Sequence, residues 1–89
     1  RNYDIVGIVK DYDSLEERVV IEQRNKVLNE DEVEVLRPKG DGFCIRLCDM
    51  RNEEGEKIES APVAQMIFTA KVSNKMEKGD MLLKAKNDK

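Results

Sequence analysis

From Tyr3 to Lys84 the chain is a succession of short β-branched and apolar runs, each soon closed by Gly, Pro, Asn or Asp. No stretch keeps apolar residues at three- and four-residue spacing long enough to make a persuasive helix, so the pattern confines the chain to a small all-β fold. Tyr3-Asp4-Ile5-Val6-Gly7-Ile8-Val9-Lys10 is apolar on both faces and reads as a central strand. Gly7 inside it marks a bulge or a barrel corner. Asp11-Tyr12-Asp13-Ser14 reads as a turn, and Arg18-Val19-Val20-Ile21-Glu22-Gln23 as the second strand of a hairpin. Leu15 to Val27 has some helical spacing, but three β-branched residues in a row lose rotamer freedom in a helix.

Glu32-Val33-Glu34-Val35-Leu36 alternates strictly and stops at Arg37-Pro38-Lys39-Gly40-Asp41-Gly42, a tight connection. Phe43, Ile45 and Leu47 then alternate with Cys44, Arg46 and Cys48 along one strand. A charged turn at Asn52–Glu56 precedes a short strand, Lys57-Ile58-Glu59, and Ala61-Pro62 interrupts the pattern. Gln65 to Val72 is a further strand with Met66, Phe68, Ala70 and Val72 on one face. Lys78-Gly79-Asp80 turns into a last strand, Met81–Lys84, and the polar residues 85–89 are expected to fray. Six or seven short strands predict a small closed or nearly closed β-barrel, in which closure hides the sheet edges. With 89 residues there is room for one domain and one modest core.

Apolar and charged residues each make up 39% of the chain, a balance that suits a thin barrel with a wet exterior. Residues 1–62 hold ten Lys/Arg against sixteen Asp/Glu, and residues 63–89 hold six against three, balances of -6 and +3 within a net charge of -3. An acidic domain is a poor stand-alone binder of nucleic acid, whose affinity comes largely from counterions released by Lys and Arg. No apolar run is long enough to cross a membrane, and no signal-peptide pattern opens the chain. The first residue, Arg1, points to a fragment or a processed product. These features are read as those of a cytoplasmic domain, monomeric in isolation and without a membrane contact.

The chemistry available is sparse. Cys44 and Cys48, if on one strand face, stand about 13 Å apart and cannot form a disulfide with each other. Two thiols without a histidine do not make a zinc site, and they are expected to be small hydrophobes in a reducing compartment. Without histidine the usual base for a Ser, Cys or Thr nucleophile is missing. The carboxylates fall in turns or alternate outward, with no apolar setting to raise a pKa. No glycine loop carries the Lys-Ser/Thr of a phosphate cradle, and Asn52–Gly55 lacks the spacing of a calcium loop. The expectation is therefore a chain with no catalytic residue, no metal and no cofactor of its own.

Gln23, Arg24, Asn25 and Lys26 are the candidate contact residues. A polar loop needs only one residue of special conformation, which Asn25 can supply in the left-handed region. The neighbouring long polar side chains exceed that need and carry rotamer entropy that no burial offsets. Arg24 offers a planar fork for a carboxylate or a phosphate.

Val6-Gly7-Ile8-Val9, Tyr12-Asp13, Ile21-Glu22-Gln23-Arg24-Asn25-Lys26, Val33-Glu34-Val35-Leu36-Arg37-Pro38, Gly55-Glu56, Ala61-Pro62 and Gly79-Asp80-Met81-Leu82 together resemble the C-terminal domain of the collagenase-like peptidase family U32. The likeness runs in order from Tyr3 to Lys84, and its most specific part is the Ile-Glu-Gln-Arg-Asn-Lys run. Glu30-Asp31 departs from it, standing where a Gly-Asp turn is usual, as does Val63-Ala64 in place of a frequent His-Pro. The resemblance implies a barrel similar to the second domain of elongation factor Tu, and a parent with a separate N-terminal catalytic domain as partner. Members are classed as peptidases acting on collagen-like substrates. Relatives are similar to hydroxylases of RNA bases or quinone precursors, with an iron–sulfur cluster held by cysteines that do not map onto Cys44 or Cys48. The implied role is a non-catalytic accessory domain that positions substrate or stabilises its parent. An RNA-contacting barrel and a protein–protein docking module are the alternatives.

Overall fold

A computed structural model describes residues 2–86. Nine strands follow one another: β1 Tyr3–Asp13, β2 Arg18–Gln23, β3 Val27–Leu28, β4 Glu32–Leu36, β5 Phe43–Arg46, β6 Cys48–Arg51, β7 Ser60–Ala61, β8 Ile67–Lys71 and β9 Met81–Ala85. Seven of them form one antiparallel sheet in the order β5-β4-β9-β1-β2-β8-β6, while β3 and β7 pair separately. The two terminal strands of that order, β5 and β6, are separated in sequence by Leu47 alone. The sheet must therefore curl until its two edges meet there, which makes it a small β-barrel joined by its own chain. Leu47 is fully buried at the seam; its N–H donates to the Asp31 carbonyl at 3.0 Å and its carbonyl accepts from the Glu30 N–H at 2.7 Å.

The central position of β1 follows from its two-sided apolar pattern, and Gly7 sits at a register shift between Ile5 and Gly7 in the β1–β9 ladder. A Cβ on Gly7 would stand 2.5 Å from Ile21 Cγ2, so only glycine lets β1 and β2 approach this closely. The core gathers Val6, Val9, Val19, Ile21, Phe68 and Leu82 with ten further side chains from both halves of the chain. As the alternation of β8 predicts, Phe68, Ala70 and Val72 all face inward.

Several boundaries differ from the sequence reading. Asp11–Asp13 is not a turn: a second bulge between Val9 and Asp11 lets the β1–β2 ladder run on to Asp13↔Arg18. The turn lies beyond, where the Asp13 carboxylate accepts from the N–H groups of Leu15 and Glu16. The single strand expected through Phe43–Cys48 breaks at the seam, so Cys44 belongs to β5 and Cys48 to β6 at the opposite end of the sheet order. Lys57–Glu59 makes one isolated bridge, Arg51↔Lys57, rather than a strand. Gln65 takes a left-handed φ of 66°, which delays β8 to Ile67. Ala85 is not frayed, because it pairs with Tyr3, and the Lys86 N–H donates to the Asn2 carbonyl. Residues 87–89 of that expected tail lie outside the described residues.

Candidate interaction face

The four residues singled out after β2 divide. Gln23 is a core residue, 1% exposed, and is corrected from contact residue to structural one. Its Nε2 donates to the Ala61 carbonyl at 2.7 Å, its N–H to the Met66 carbonyl, and its carbonyl accepts from Gln65 N–H. It faces inward by the strict alternation of β2, behind Val19 and Ile21, and it ties β2 to β7 and to the start of β8. Asn25 is not in the left-handed region. It works as an anchor instead: Nδ2 donates to the Ile5 carbonyl at 2.8 Å, while the Arg24 and Asn25 N–H groups both approach the Val6 carbonyl. The loop is thus fastened to the first bulge of β1.

Arg24 and Lys26 remain exposed. The Arg24 guanidinium stands 3.4 Å from Glu22 Oε1, and Lys10 Nζ reaches the same oxygen at 3.7 Å. One carboxylate therefore faces two cations, with Lys26 nearby in the chain. Lys10 could not be grouped with Arg24 from the sequence, because their proximity depends on the β1–β2 register.

Beside this loop the outer surface of β1 and β9 is apolar, with glutamates on the neighbouring strands β2 and β4. The register aligns Ile5 of β1 with Leu83 of β9, Leu83 with Glu34 of β4, and Glu34 with Cys44 of β5. The next row runs from Leu36 through Met81 and Ile8 to Glu22 and Ile67. These positions alternate with the core residues, so they point away from the interior. Tyr3, Ile5 and Leu36 are 40%, 38% and 45% exposed, and Ile8, Met81, Leu83 and Ile67 are half-buried. A depression of about 210 Å³ is lined by Tyr3, Leu83 and Ala85 on one side and Glu32, Glu34 and Cys44 on the other. The two-sided apolar character of β1 thus has two causes, a core inside the barrel and an uncovered face outside it.

A second, open cleft of about 380 Å³ lies at the seam among Asn29, Glu30, Cys48, Asp49 and Lys57. Glu30 and Asp49 both take left-handed conformations, at φ 76° and 49°. Glu30 therefore fills the turn position where glycine is usual in the related pattern, at a backbone cost a glycine avoids. Burial, and then the Glu30 carboxylate whose oxygen lies 3.8 Å from Sγ, push the Cys48 thiol above its ordinary pKa. A thiol held in its protonated form is a poor nucleophile. Hydrogen bonds from Arg51 and Arg18 hold the Asp49 carboxyl below its ordinary value, the signature of an ion pair and not of a general acid. Among the described residues no group of three or more His, Cys, Asp or Glu could hold a metal ion.

At one end of the barrel Asp80 is 2% exposed. Both of its oxygens lie 3.0 Å from Arg37 Nε, and one also accepts from the Glu77 N–H. Arg37 packs over the Phe43 ring, 4.8 Å from its centroid, and donates to the Lys75 carbonyl. This pair ties the β4–β5 connection to the β8–β9 connection and is structural.

Known proteins with similar sequence or structure place the domain. The chain is 31% identical over 84 residues to the tRNA hydroxylation protein P1 of Bacillus subtilis (strain 168), an alignment covering 94% of this chain and 20% of that protein. The chain thus spans about a fifth of the length of this curated relative. Two solved structures of the C-terminal domain of a U32 peptidase-family protein from Geobacillus thermoleovorans share the fold. One superposes with a TM-score of 0.85 at 26% identity, covering 91% of this chain and 99% of that one. The other gives 0.82 at 25% identity, covering 89% of each. Residues 1–82 match the description of the peptidase family U32 C-terminal domain, so the chain belongs to that family.

Proposed function

We propose that this domain serves a longer U32-family protein as a non-catalytic accessory module, seated against the part of the protein that carries out the chemistry. The observation that carries this reading is the division of labour among its side chains. Gln23, Arg18, Asp49, Arg37 and Asp80, the polar groups with the most developed surroundings, hold the barrel together. The surface left over includes a sheet face, apolar along β1 and β9, bordered by Lys10 and Arg24. Such a face suits contact with another protein surface better than it suits turnover.

The test is removal of this domain from the full-length protein, followed by assay on gelatin and on transfer RNA. Activity on either substrate should fall without the domain while the remainder keeps its fold. Full activity in its absence would end the accessory reading.

A second reading, contact with RNA, draws on the name of the Bacillus subtilis relative and on the exposed cations Lys10, Arg24 and Lys26. It predicts that RNA binding by the full-length protein weakens as salt rises, and that replacing Arg24 and Lys26 with Ala flattens that dependence. A salt dependence unaltered by the double replacement would remove this loop from the RNA contact.

A further inference from the structure

We infer that the outer face of β4, β9, β1, β2 and β8 is the seat of the polypeptide that precedes this domain in the longer U32-family protein. The inference rests on the accessory reading and gives it a surface and a polarity. Its centre is the two cross-strand rows that run through Ile5 and Leu83 and through Leu36, Met81 and Ile8, apolar side chains that the domain leaves exposed at Ile5 and Leu36 and half-covered at Leu83, Met81 and Ile8. Interior alternation alone does not require apolar residues on the outer surface of β1 and β9, with Leu36 of β4 and Ile67 of β8 continuing it on either side. A barrel meant to be solvated on its outside would place polar groups there.

The two flanks of the face carry opposite charge. Lys10 and Arg24, both paired with Glu22, border it on the β1–β2 side, and Glu32 and Glu34 on the β4 side. A surface that fits it has an apolar centre, acidic groups facing Lys10 and the β2–β3 connection, and basic groups facing β4. This layout of apolar core and polar rim is that of a protein–protein contact.

The occupant follows from two facts. This family's domain is a C-terminal one, and the curated relative is about five times as long as the region it shares with this chain. Tyr3, the first residue of β1, lines the depression in the face, so polypeptide entering the domain from the N-terminal side arrives beside that depression.

Cys44 supplies a native reporter, because it is exposed and lines the same depression. The isolated domain is a usable reference, since a relative's isolated domain, 99% of whose chain superposes on this fold, was itself crystallised. Both the isolated domain and the full-length protein are treated with a maleimide, and modification of the Cys44 peptide is followed by mass spectrometry.

Cys44 should react at least about tenfold more slowly in the full-length protein. Leu36→Arg in the full-length protein should restore most of the isolated-domain rate, and the milder Leu36→Ser part of it. Leu15→Arg, on the hairpin turn where Leu15 is 94% exposed, should leave Cys44 protected. Equal rates in the two forms, or protection that survives Leu36→Arg in a folded protein, would overturn the inference. A concentration-dependent dimer of the isolated domain in sedimentation, abolished by Leu36→Arg, would assign the face to a second copy and overturn it as well. Labelling and sedimentation read contact and not turnover. A full-length protein that loses no activity without the domain, yet protects Cys44, would defeat the accessory reading and leave this one standing.

Discussion

Replacing Asp80 with Ala is expected to destabilise the isolated domain by about 3 kcal/mol. The carboxylate is 2% exposed and accepts from Arg37 Nε and from the Glu77 N–H. Removing one partner of a buried ion pair costs about 3–5 kcal/mol, because the other charge is left without compensation. Two features pull the figure to the lower end. The Arg37 side chain keeps 22% exposure, so water recovers part of its solvation, and it retains the Lys75 carbonyl and the Phe43 ring. The orphaned Glu77 N–H adds about 1 kcal/mol in the opposite direction. Asp80→Asn, which preserves shape and one acceptor, should cost about half as much.

The loss is large against a total stability of about 4–13 kcal/mol for a chain of this length. Urea unfolding at neutral pH, followed by far-ultraviolet circular dichroism, reads it as a shift of midpoint at constant slope. A cycle with Arg37→Ala should return a coupling of about 1.5 kcal/mol or more. A loss below about 1 kcal/mol for Asp80→Ala, or no coupling, would refute the claim that this pair ties the two connections together.

Gly7→Ala should cost about 1–3 kcal/mol by equilibrium unfolding, since its Cβ would meet Ile21 Cγ2 at 2.5 Å in a packed core. Glu30→Gly should stabilise the domain by about 0.5–1 kcal/mol, read as a higher unfolding midpoint, because φ 76° strains a residue with a side chain and not glycine. Asp49 titrates below its ordinary 3.8 in the folded protein, so its contribution is complete above that unfolded-state value and disappears as the pH falls through the folded one. Asp49→Asn should therefore make acid unfolding below about pH 4 shallower, measured as stability against pH. Arg24→Ala with Lys26→Ala should leave the isolated domain's stability within about 0.5 kcal/mol, as for ordinary exposed sites; a loss of several kcal/mol would make the loop structural.

By itself the sequence determined what local chemistry decides. The bounds of β2, Arg18–Gln23, followed from its β-branched run and those of β4, Glu32–Leu36, from strict alternation, and the inward set of β8 from the same period of two. Gly7 announced its bulge because no other residue fits so close to β2. The family was legible in the Ile21–Lys26 run and the motifs around it. Tertiary structure decided everything that depends on which strand lies beside which.

A single alternating run, Phe43–Cys48, became two strands at opposite ends of the sheet order because the barrel had to close at Leu47. Gln23, polar and followed by charged residues, went inside because alternation placed it there and the Ala61 carbonyl was available to receive its amide. Ala85 was secured by Tyr3, a residue at the other end of the chain. Lys10 met Glu22 and Arg24, and Ile5, Leu83 and Leu36 gathered on one outer face, only through register. Side-chain periodicity is a local property, whereas strand adjacency is set by the closure of the whole sheet, and that is where the candidate face came from.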